Sequence, residues 1–540
     1  MNEKSFSIYS IKSFIFEYID KNYYSESKMY IERLVFGKSS FSDELNESIN
    51  NIGIIYLFAI SGLHISILSL LIKKFLRIFN IEEEIITVVL IIMLIIYYFI
   101  TSISSSVTRA IIMTIITEIS KLLNRRIPKI DTLVHSFIIS LMINPFYIYQ
   151  MGFYLTYLST LIIYLSKEKN LLKLTFLVVL FSTPLILYNN QKISIFILIN
   201  SLVFGSLFSV AFIPFTYIVL IISPLDFIYK GFINVLNSSI IFSSEIDVPF
   251  YFSIENIYFL LIIYFLLFII INRIKDKKKY KSFIALVVLV FMFNYFTSIY
   301  SFFPRVIVLD VGQGDSILIR NGFDNYLIDT GVYDKYNTTV KYLNKRNIYK
   351  LNIVFISHDD SDHMGDIENL SKVIKIDKII DGTKEIDLNI KGLHFKSYRL
   401  NSENKNEGSM VLYLKMYNAS FLFTGDIESM GEDNILKTDI HNITYLKVAH
   451  HGSKTSSKKE FIDKMHPKVS FISVGLNNKY GHPASEVLKR LESVNSKIYR
   501  TDMDGSIEVT ILPYISFIKT YRKDELSIFE RLDNHRVIIH

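Results

Sequence analysis

Not one cysteine occurs among the 540 residues, which excludes disulfides and thiolate metal sites and leaves His, Asp and Glu to hold any metal. The chain also lacks a P-loop, a dinucleotide fingerprint, a Ser/His/Asp triad and internal repeats, so a built-in ATP motor has no support. No cleavable signal peptide is expected, because Met1 to Tyr24 is amphipathic and polar-interrupted, with no small-residue cleavage site. The first spanning helix is expected to do the targeting.

Apolar residues, by contrast, are abundant and unevenly spread. Half of the sequence is hydrophobic and mean hydropathy is +0.33, too apolar for a wholly water-soluble protein. Stretches of ~20 mainly apolar residues, the length that crosses a bilayer core, recur from about Ile52 to Phe302 and stop after Pro304. Spans are expected near 52–72, 84–103, 107–123, 131–147, 152–166, 171–189, 193–209, 210–228, 255–272 and 282–302, about ten in all. Residues 229–254, with Ser238, Ser239, Ser243, Ser244 and Glu245, read as interfacial. Residues 1–50 form a lead-in in which Ile8, Ile11, Phe14, Ile15, Tyr18 and Ile19 keep a helical period. That pattern suits an amphipathic helix on a membrane surface or against the bundle, a disordered lead-in being the alternative.

Residues 301–540 hold 33 Lys and Arg against 32 Asp and Glu, and residues 1–300 hold 25 against 19, so the basic surplus belongs to the membrane half. It falls in clusters: Lys73, Lys74 and Arg77; Lys121, Arg125, Arg126 and Lys129; Lys167, Lys169 and Lys173; and Arg273, Lys275, Lys277, Lys278, Lys279 and Lys281. Placing all of them in the cytoplasm, as the positive-inside bias requires, lets the spans alternate without conflict. The last span then runs outward and the following domain lies outside the cytoplasm.

From Val306 the pattern changes to short β-branched strands near 306–309, 316–319, 326–328, 353–357, 410–414, 421–423, 469–474 and 506–511. Helical stretches intervene near 339–346, 366–373, 431–437 and 485–493. The order suits two sheets sandwiched between helices. The expected organisation is a lead-in (1–50), a polytopic α-helical membrane domain (51–303), an α/β domain with an αββα sandwich (304–520) and a tail (521–540).

The densest chemistry is the run Ser357-His358-Asp359-Asp360-Ser361-Asp362-His363-Met364-Gly365-Asp366. Its ligand-type side chains converge only from a tight loop, because a strand alternates its faces and a helix would scatter them. His358 and Asp360 read as ligands of one metal, and Asp362 and His363 as ligands of a second. Asp426, after a strand, bridges the two. Such a pair of divalent ions, ~3.5 to 4 Å apart, lowers the pKa of a shared water. His450 or His451 closes the coordination of the second metal, the other orienting substrate or a ligand, a choice that spacing leaves open; with His450 as the ligand, His451 joins Asp362 and His482 as the catalytic set. Asp329, at a strand tip, is the expected partner fixing a ligand imidazole.

Asp315 belongs with Asp329 beside the centre. Ser453 and Lys454 suit a phosphate, though a plain surface loop explains them nearly as well, and His482 suits either the leaving group or a helix cap. A solvated acidic turn is the bland alternative for the His358 loop.

These segments together, Asp310-Val-Gly-Gln-Gly-Asp315-Ser, Tyr326-Leu-Ile-Asp329-Thr-Gly, the His358 loop, Thr424-Gly-Asp426 and His450-His451-Gly-Ser, resemble the metallo-β-lactamase fold in the version found at the C-terminus of ComEC competence proteins. Phe58-Ala-Ile-Ser61-Gly62-Leu63-His64, Ser106-Val-Thr-Arg109-Ala, Asn144-Pro145 and Gly152-Phe-Tyr-Leu-Thr look like that family's membrane domain. The likeness runs over about residues 30–515 in the family's order. The family's usual leading spans and small β-barrel domain have no counterpart in these residues. The commoner metallo-β-lactamase pattern has His where Asp360 stands, and a further His ligand before the bridging Asp. His394 falls in that interval but in a probable strand, and the family position falls in Asn404-Lys-Asn406-Glu-Gly-Ser409 instead. An oxygen-richer shell leaves two ions, manganese or zinc, as the expected cofactors.

The resemblance implies a multi-pass cell-membrane channel for DNA uptake whose extracytoplasmic domain is a metal-dependent nuclease. The expected partners are the translocated single strand, the bilayer, a DNA receptor and a cytoplasmic motor ATPase. His64 and Arg109 are the candidates for a polar membrane path; a snorkelling Arg109 and close packing at Ser61-Gly62 are the alternatives. Two other functions fit the same residues: a transport component that binds DNA without cutting it, and a membrane phosphoesterase acting on lipid or cell-wall phosphodiesters.

Overall fold

The structure is a computed structural model that describes residues 8–38, 41–101, 104–275, 279, 281–333, 338–521 and 538–539. The chain divides into two compact units, Met1–Phe291 and Met292–His540. Lys277 and Lys278 of the last basic cluster, and most of the expected tail, lie outside the described residues.

The first unit is helical: α1 (Ile8–Asn22), α2 (Ser25–Phe36), α3 (Asp43–Asn51), α4 (Gly62–Arg77), α5 (Glu83–Ile100), α6 (Ser105–Leu122), α7 (Lys129–Ile143), α8 (Met151–Ser166), α9 (Leu171–Asn190), α10 (Ile197–Ile221), α11 (Asp226–Ile246) and α12 (Ile257–Lys275). A further helix, α13 (Lys281–Ile299), runs across the division. Among the described residues, 5 helices are long and apolar enough to cross a membrane: α4 with its lead-in from Ile55, α5, α9, α10 and α13. The others expected as spans are shorter or, like α6 with Thr108, Arg109, Thr117 and Glu118, carry polar groups.

Two expectations change. The spans expected at 193–209 and 210–228 are one helix, α10, continuous through a π-turn at Phe208–Phe212. That turn sits just before Pro214, whose missing N–H leaves a carbonyl one turn back unclaimed, and the widened turn carries the helix past it. The segment expected to be interfacial is largely helix α11. Lys192–Ser194 and Pro249–Tyr251 pair antiparallel, tying the α9–α10 and α11–α12 connections together on one face. The lead-in packs on the bundle: Ile19, Tyr23, Tyr30, Leu34 and Ile49 share one buried cluster with Phe204, Phe208, Phe212 and Tyr229.

The second unit is a sandwich of two sheets. One runs, in spatial order, Ile538–Ile539, Ser516–Tyr521, Ser506–Ile511, Ser301–Val308, Ile317–Gly322, Asp324–Ile328, Ile353–Phe355, Ile379–Ile380. The other runs Asp387–Ile390, Leu393–Tyr398, Val411–Met416, Ala419–Phe423, Tyr445–Lys447, Val469–Ile472, Lys497–Arg500. Both parities along the strands are apolar because both faces of each sheet are covered. Val306, Val308, Ile317 and Phe355 meet Leu412, Leu414, Phe421 and Phe471 between the sheets. Ile307, Leu318 and Val354 turn outward against Leu343 and Leu370, whereas Leu422, Leu446 and Ile472 turn outward against Ile435, Phe461 and Leu491. The helices carrying those partners, Thr338–Lys345 and Ile367–Val373 on one side and Ser429–Leu436, Lys459–Met465 and Ser485–Ser493 on the other, complete an αββα order.

Candidate metal centre

The chemistry collects where strands of both sheets end. Asp329 follows Asp324–Ile328, His358 follows Ile353–Phe355, Asp426 follows Ala419–Phe423, and the two histidines follow Tyr445–Lys447. The pairs Asp324–Ile328 with Ile353–Phe355 and Ala419–Phe423 with Tyr445–Lys447 are parallel, so their carboxyl ends open on a common side, the usual ligand side of such sheets. The His358 run is a loop that closes into one helical turn, Ser361–Met364, rather than loop throughout. That turn brings Asp362 and His363 forward as neighbours.

Ligand atoms of Asp362, His363, Asp426 and His451 all lie within 4.8 Å of one another. His363 Nε2 is 3.2 Å from Asp426 Oδ1, and His451 Nε2 is 3.3 Å from Asp362 Oδ2 and 3.7 Å from Asp426 Oδ2. His358 and Asp360 form a neighbouring pair, Nε2 to Oδ2 3.6 Å. His450 lies outside the four-residue group: its Nε2 is 3.9 Å from Asp426 Oδ2, and its Nδ1 is held by Glu428 Oε1 at 3.1 Å. Between the two histidines, then, geometry draws in His451 rather than His450. His482 stands beside His450, with ring centroids 5.9 Å apart. It does not cap the following helix, whose N-cap is Ala484. Ser453 is buried and bonded to Thr455 Oγ1 at 2.9 Å, Lys454 is exposed, and His394 points to Asp387, 2.7 Å away. His64 and Arg109 belong to the helical unit.

Buried partners orient the imidazoles. Asp329 Oδ2 is 2.8 Å from His363 Nδ1, and Asp329 also accepts from Ser357 N at 2.7 Å and Ser357 Oγ at 2.8 Å. With its Nδ1–H committed to a carboxylate, the ring turns the Nε2 lone pair inward. His451 Nδ1 donates to the Ser473 carbonyl at 2.9 Å, with Asp315 Oδ1 3.7 Å away, and Asp315 Oδ2 pairs with the buried Lys447 at 2.5 Å. Two close approaches need glycine. A Cβ on Gly314 would collide with the carbonyl oxygen of Asp362, and one on Gly425 with Ser409 Oγ. Asp329, His450 and His451 adopt left-handed backbone, with φ of 55, 48 and 51°, a strain of about 1–3 kcal/mol each that surrounding structure must hold.

Negative charge is in excess, and the titration directions follow. Burial opposes ionisation of Asp362 and Asp426. The hydrogen bond from His451 nevertheless brings Asp362 down to about 2, and the nearby His363 and His451 hold Asp426 well below the carboxylate range. Burial would lower His363 and His451, but Asp426 beside both raises them. His358 is lowered by burial and by the neighbouring His363, and His482 by burial and His450. Among the buried polar atoms without a hydrogen-bond partner are His358 Nε2, His363 Nε2 and Asp426 Oδ1. Lone pairs left unspent in a pocket rich in carboxylates fit a divalent cation held by nitrogen and oxygen.

Sequence reasoning passed over Ser357, Ser409, Glu428 and Lys447. Lys447 carried a signal, a lone charge inside the apolar run Tyr445-Leu-Lys-Val-Ala. Ser409, whose Oγ lies 3.4 Å from His358 Nδ1 and accepts from Asp426 N at 3.3 Å, ends the segment 404–409 in which the resemblance placed a family position, but nothing singled it out within that segment.

Comparison with known proteins accords with this division. A competence protein family model matches residues 34–279, and a metallo-β-lactamase superfamily model matches residues 309–395. ComE operon protein 3 of Bacillus subtilis is 26% identical over 581 residues, which cover 93% of this chain and 74% of that protein. Competence protein ComA of Neisseria gonorrhoeae is 32% identical over 220 residues, covering 38% of this chain and 32% of that one. Among solved structures, the metallo-β-lactamase fold protein YhfI from Bacillus subtilis is 11% identical with a TM-score of 0.29, covering 38% of this chain and 99% of its own. A metallo-β-lactamase fold implies a divalent metal ion.

Proposed function

From a chain that joins a competence protein domain to a metallo-β-lactamase domain and is homologous to ComE operon protein 3, we propose a multi-pass cell-membrane protein of DNA uptake. Residues 51–303 form its channel for a single strand, and residues 304–520 hydrolyse phosphodiester bonds of the incoming DNA outside the cytoplasm. The bilayer and the DNA are its partners, with a DNA receptor on one side and a motor ATPase on the other.

The observation that carries the reading is the convergence of Asp362, His363, Asp426 and His451 within 4.8 Å, backed by Asp329 on His363. Asp362, His363 and His451 would hold one divalent ion, manganese or zinc; His358 and Asp360 would hold a second, with Asp426 shared. Bound there, such ions supply Lewis acidity toward phosphoryl oxygen and acidify water. The chain's own residues supply the rest. Glu428, itself held by a hydrogen bond from Thr455 Oγ1, fixes His450 from one side, so its Nε2 faces the centre beside His482, and these two imidazoles serve the leaving oxygen. Lys454, exposed at the rim, meets the phosphodiester backbone.

Helix order supports the outer placement. Counting all ten helices α4 to α13 as crossings, the shorter or more polar α6, α7, α8, α11 and α12 together with the five long apolar ones, makes them alternate so that the basic clusters after α4, α6, α8 and α12 share one side. The end of α13 then lies opposite them. A second reading, DNA binding without cleavage, draws on the segment 404–409, which offers no histidine where the commoner pattern has a further histidine ligand.

The deciding experiment is metal analysis and cleavage of single-stranded DNA by the purified full chain beside Asp426→Ala. Metal-dependent cleavage lost in Asp426→Ala is the expected result. Bound metal without any cleavage would leave the non-catalytic reading, and preference for phosphocholine-type esters would make the protein a lipid or cell-wall phosphoesterase.

A further inference from the structure

Three helices of the first unit begin at one place. Ser106 Oγ, in the first turn of α6, donates to the carbonyl of Ile60, just ahead of α4, at 2.6 Å. A Cβ on Gly152, in the first turn of α8, would lie 4.0 Å from Ser105 Oγ, and α8 has no side-chain cap. Three positive helix ends therefore adjoin.

Arg109, from the second turn of α6, brings a full positive charge beside the first of them, the head of α4. Its Nη2 lies 3.8 Å from where a Cβ on Gly62, at the head of α4, would stand. The side chain is 8% exposed. Its Nη1 donates to Thr160 Oγ1, and its guanidinium carbon is 5.9 Å from the Tyr157 ring centre. Its Nε has no hydrogen-bond partner, and among the described residues no carboxylate lies within 4.0 Å. Glu118, the acid on the same helix, is engaged by Lys73 at 2.6 Å and Lys121 at 2.8 Å.

His64 leaves a second unspent donor. Ser61 N donates to His64 Nδ1 at 3.1 Å. A backbone N–H has only a proton to give, so Nδ1 accepts and the ring proton sits on Nε2. That Nε2, on a residue 1% exposed, has no partner. A guanidinium buried beside the N-terminus of α4 and against Tyr157 and Thr160 in the middle of α8, without a counter-charge, is unfavourable unless an anion joins it. The surplus consists of donors, which selects an acceptor-rich ligand.

We propose that the junction of α4, α6 and α8 is an oxyanion site that takes a phosphodiester group of a nucleic-acid strand in passage. The proposal rests on the DNA-uptake reading and adds to it a named contact inside the membrane unit. Burial of both side chains within the bundle favours a threaded strand over a lipid headgroup as the source of the phosphate.

The test is equilibrium binding of fluorescent dT12 to the full chain in phosphatidylcholine nanodiscs, with chelator present, over a range of salt. Arg109→Gln should weaken binding about tenfold and reduce the slope of log affinity against log salt by about 0.7, the share of one phosphate contact on a single strand. Arg109→Lys should weaken binding but keep the slope, and His64→Phe should likewise keep it. A methylphosphonate strand, with no backbone charge, should not distinguish Arg109→Gln from wild type. Equal affinity and slope in wild type and Arg109→Gln overturn the site. If Arg109→Gln fails to fold, unchanged affinity in both Arg109→Lys and His64→Phe overturns it. A difference that vanishes in phosphatidylglycerol discs assigns the site to lipid phosphate and overturns the strand. Strand import into vesicles, run in parallel, separates the two claims: a wild type that binds through Arg109 but imports nothing refutes transport and upholds the site, and one that imports normally with Arg109→Gln refutes the site alone.

Discussion

Asp329→Asn asks whether the centre holds its imidazole by charge. Asp329 accepts three bonds, from Ser357 N at 2.7 Å, Ser357 Oγ at 2.8 Å and His363 Nδ1 at 2.8 Å. Its φ of 55° is one that Asn tolerates and Ala does not, so the substitution leaves backbone strain nearly unchanged. An amide has one acceptor oxygen where the carboxylate had two. If its NH2 faces His363, two donors confront each other unless the ring moves its proton to Nε2, which removes the inward lone pair. If the NH2 faces Ser357, the Ser357 N–H is left unpaired. A hydrogen bond to a charged group contributes about 1.5–3 kcal/mol, and loss of a partner behind a ligand histidine lowers metal affinity ~10- to 100-fold, about 1.4–2.7 kcal/mol. The two figures agree. Chelator competition with Zn²⁺ and with Mn²⁺ on the full chain reads this directly. Affinity within about twofold of wild type would refute the reasoning, as would a loss matched by a lower metal-free melting temperature, since that would make Asp329 a fold residue.

The two adjacent histidines should separate: His451→Gln loses metal about 100-fold, whereas His450→Gln keeps its metal and loses cleavage roughly 100-fold, and the reverse pattern in metal analysis and turnover would exchange their roles. Gly314→Ala should abolish metal retention, because its Cβ meets the Asp362 carbonyl at a φ of 133°; full occupancy in that variant would refute the close approach. Glu432, buried and raised to about 7 by desolvation against the Ser457 and Lys458 N–H groups, binds a proton in the folded state that the unfolded state has already lost between pH ~4.3 and 7. Stability should therefore fall as pH rises through that window, by on the order of 3 kcal/mol in the limit, and Glu432→Gln should flatten the fall in a melting series from pH 4.5 to 8. Removing metal should abolish strand binding at the hydrolase unit as well as cleavage, measured as the salt-dependent affinity of Arg109→Gln with and without chelator.

The αββα order and the centre were legible because each rests on local pattern. Strands such as Ile353–Phe355 end directly in ligand residues, and His358 to His363 are close in sequence. What sequence could not supply was rotation. His450 and His451 differ by one position, and only their consecutive left-handed φ values turn one ring inward and the other toward Glu428. Two residues in that region are rare without glycine, so no periodic template contains them. Strands Tyr445–Lys447 and Lys497–Arg500 were missed because each carries a cation among few residues, Lys447 for the ion pair with Asp315 and Arg500 for Asp502 at 2.6 Å. The α10 error has a like cause: proline at 214 and an unbroken apolar run read as two spans, where a π-turn makes one. Ser409 could not be singled out within the segment 404–409, because its role is a contact with residues 51 and 17 positions away.

The two candidate sites are electrostatic opposites, and that opposition bears on order of events. Asp315, Asp329, Asp362 and Asp426 crowd the sandwich site against the single buried Lys447, so a phosphodiester approaching it without compensating cations meets like charge in a weakly screened pocket. The α4, α6 and α8 junction has the reverse surplus, helix ends and a guanidinium with no carboxylate within 4.0 Å among the described residues, and should need no ion to attract the same group. Affinity for a strand should thus be conditional on metal in one unit and unconditional in the other. On the proposed reading a strand should remain held at the helical unit while the sandwich site is silenced, which would make threading separable from cutting within one chain.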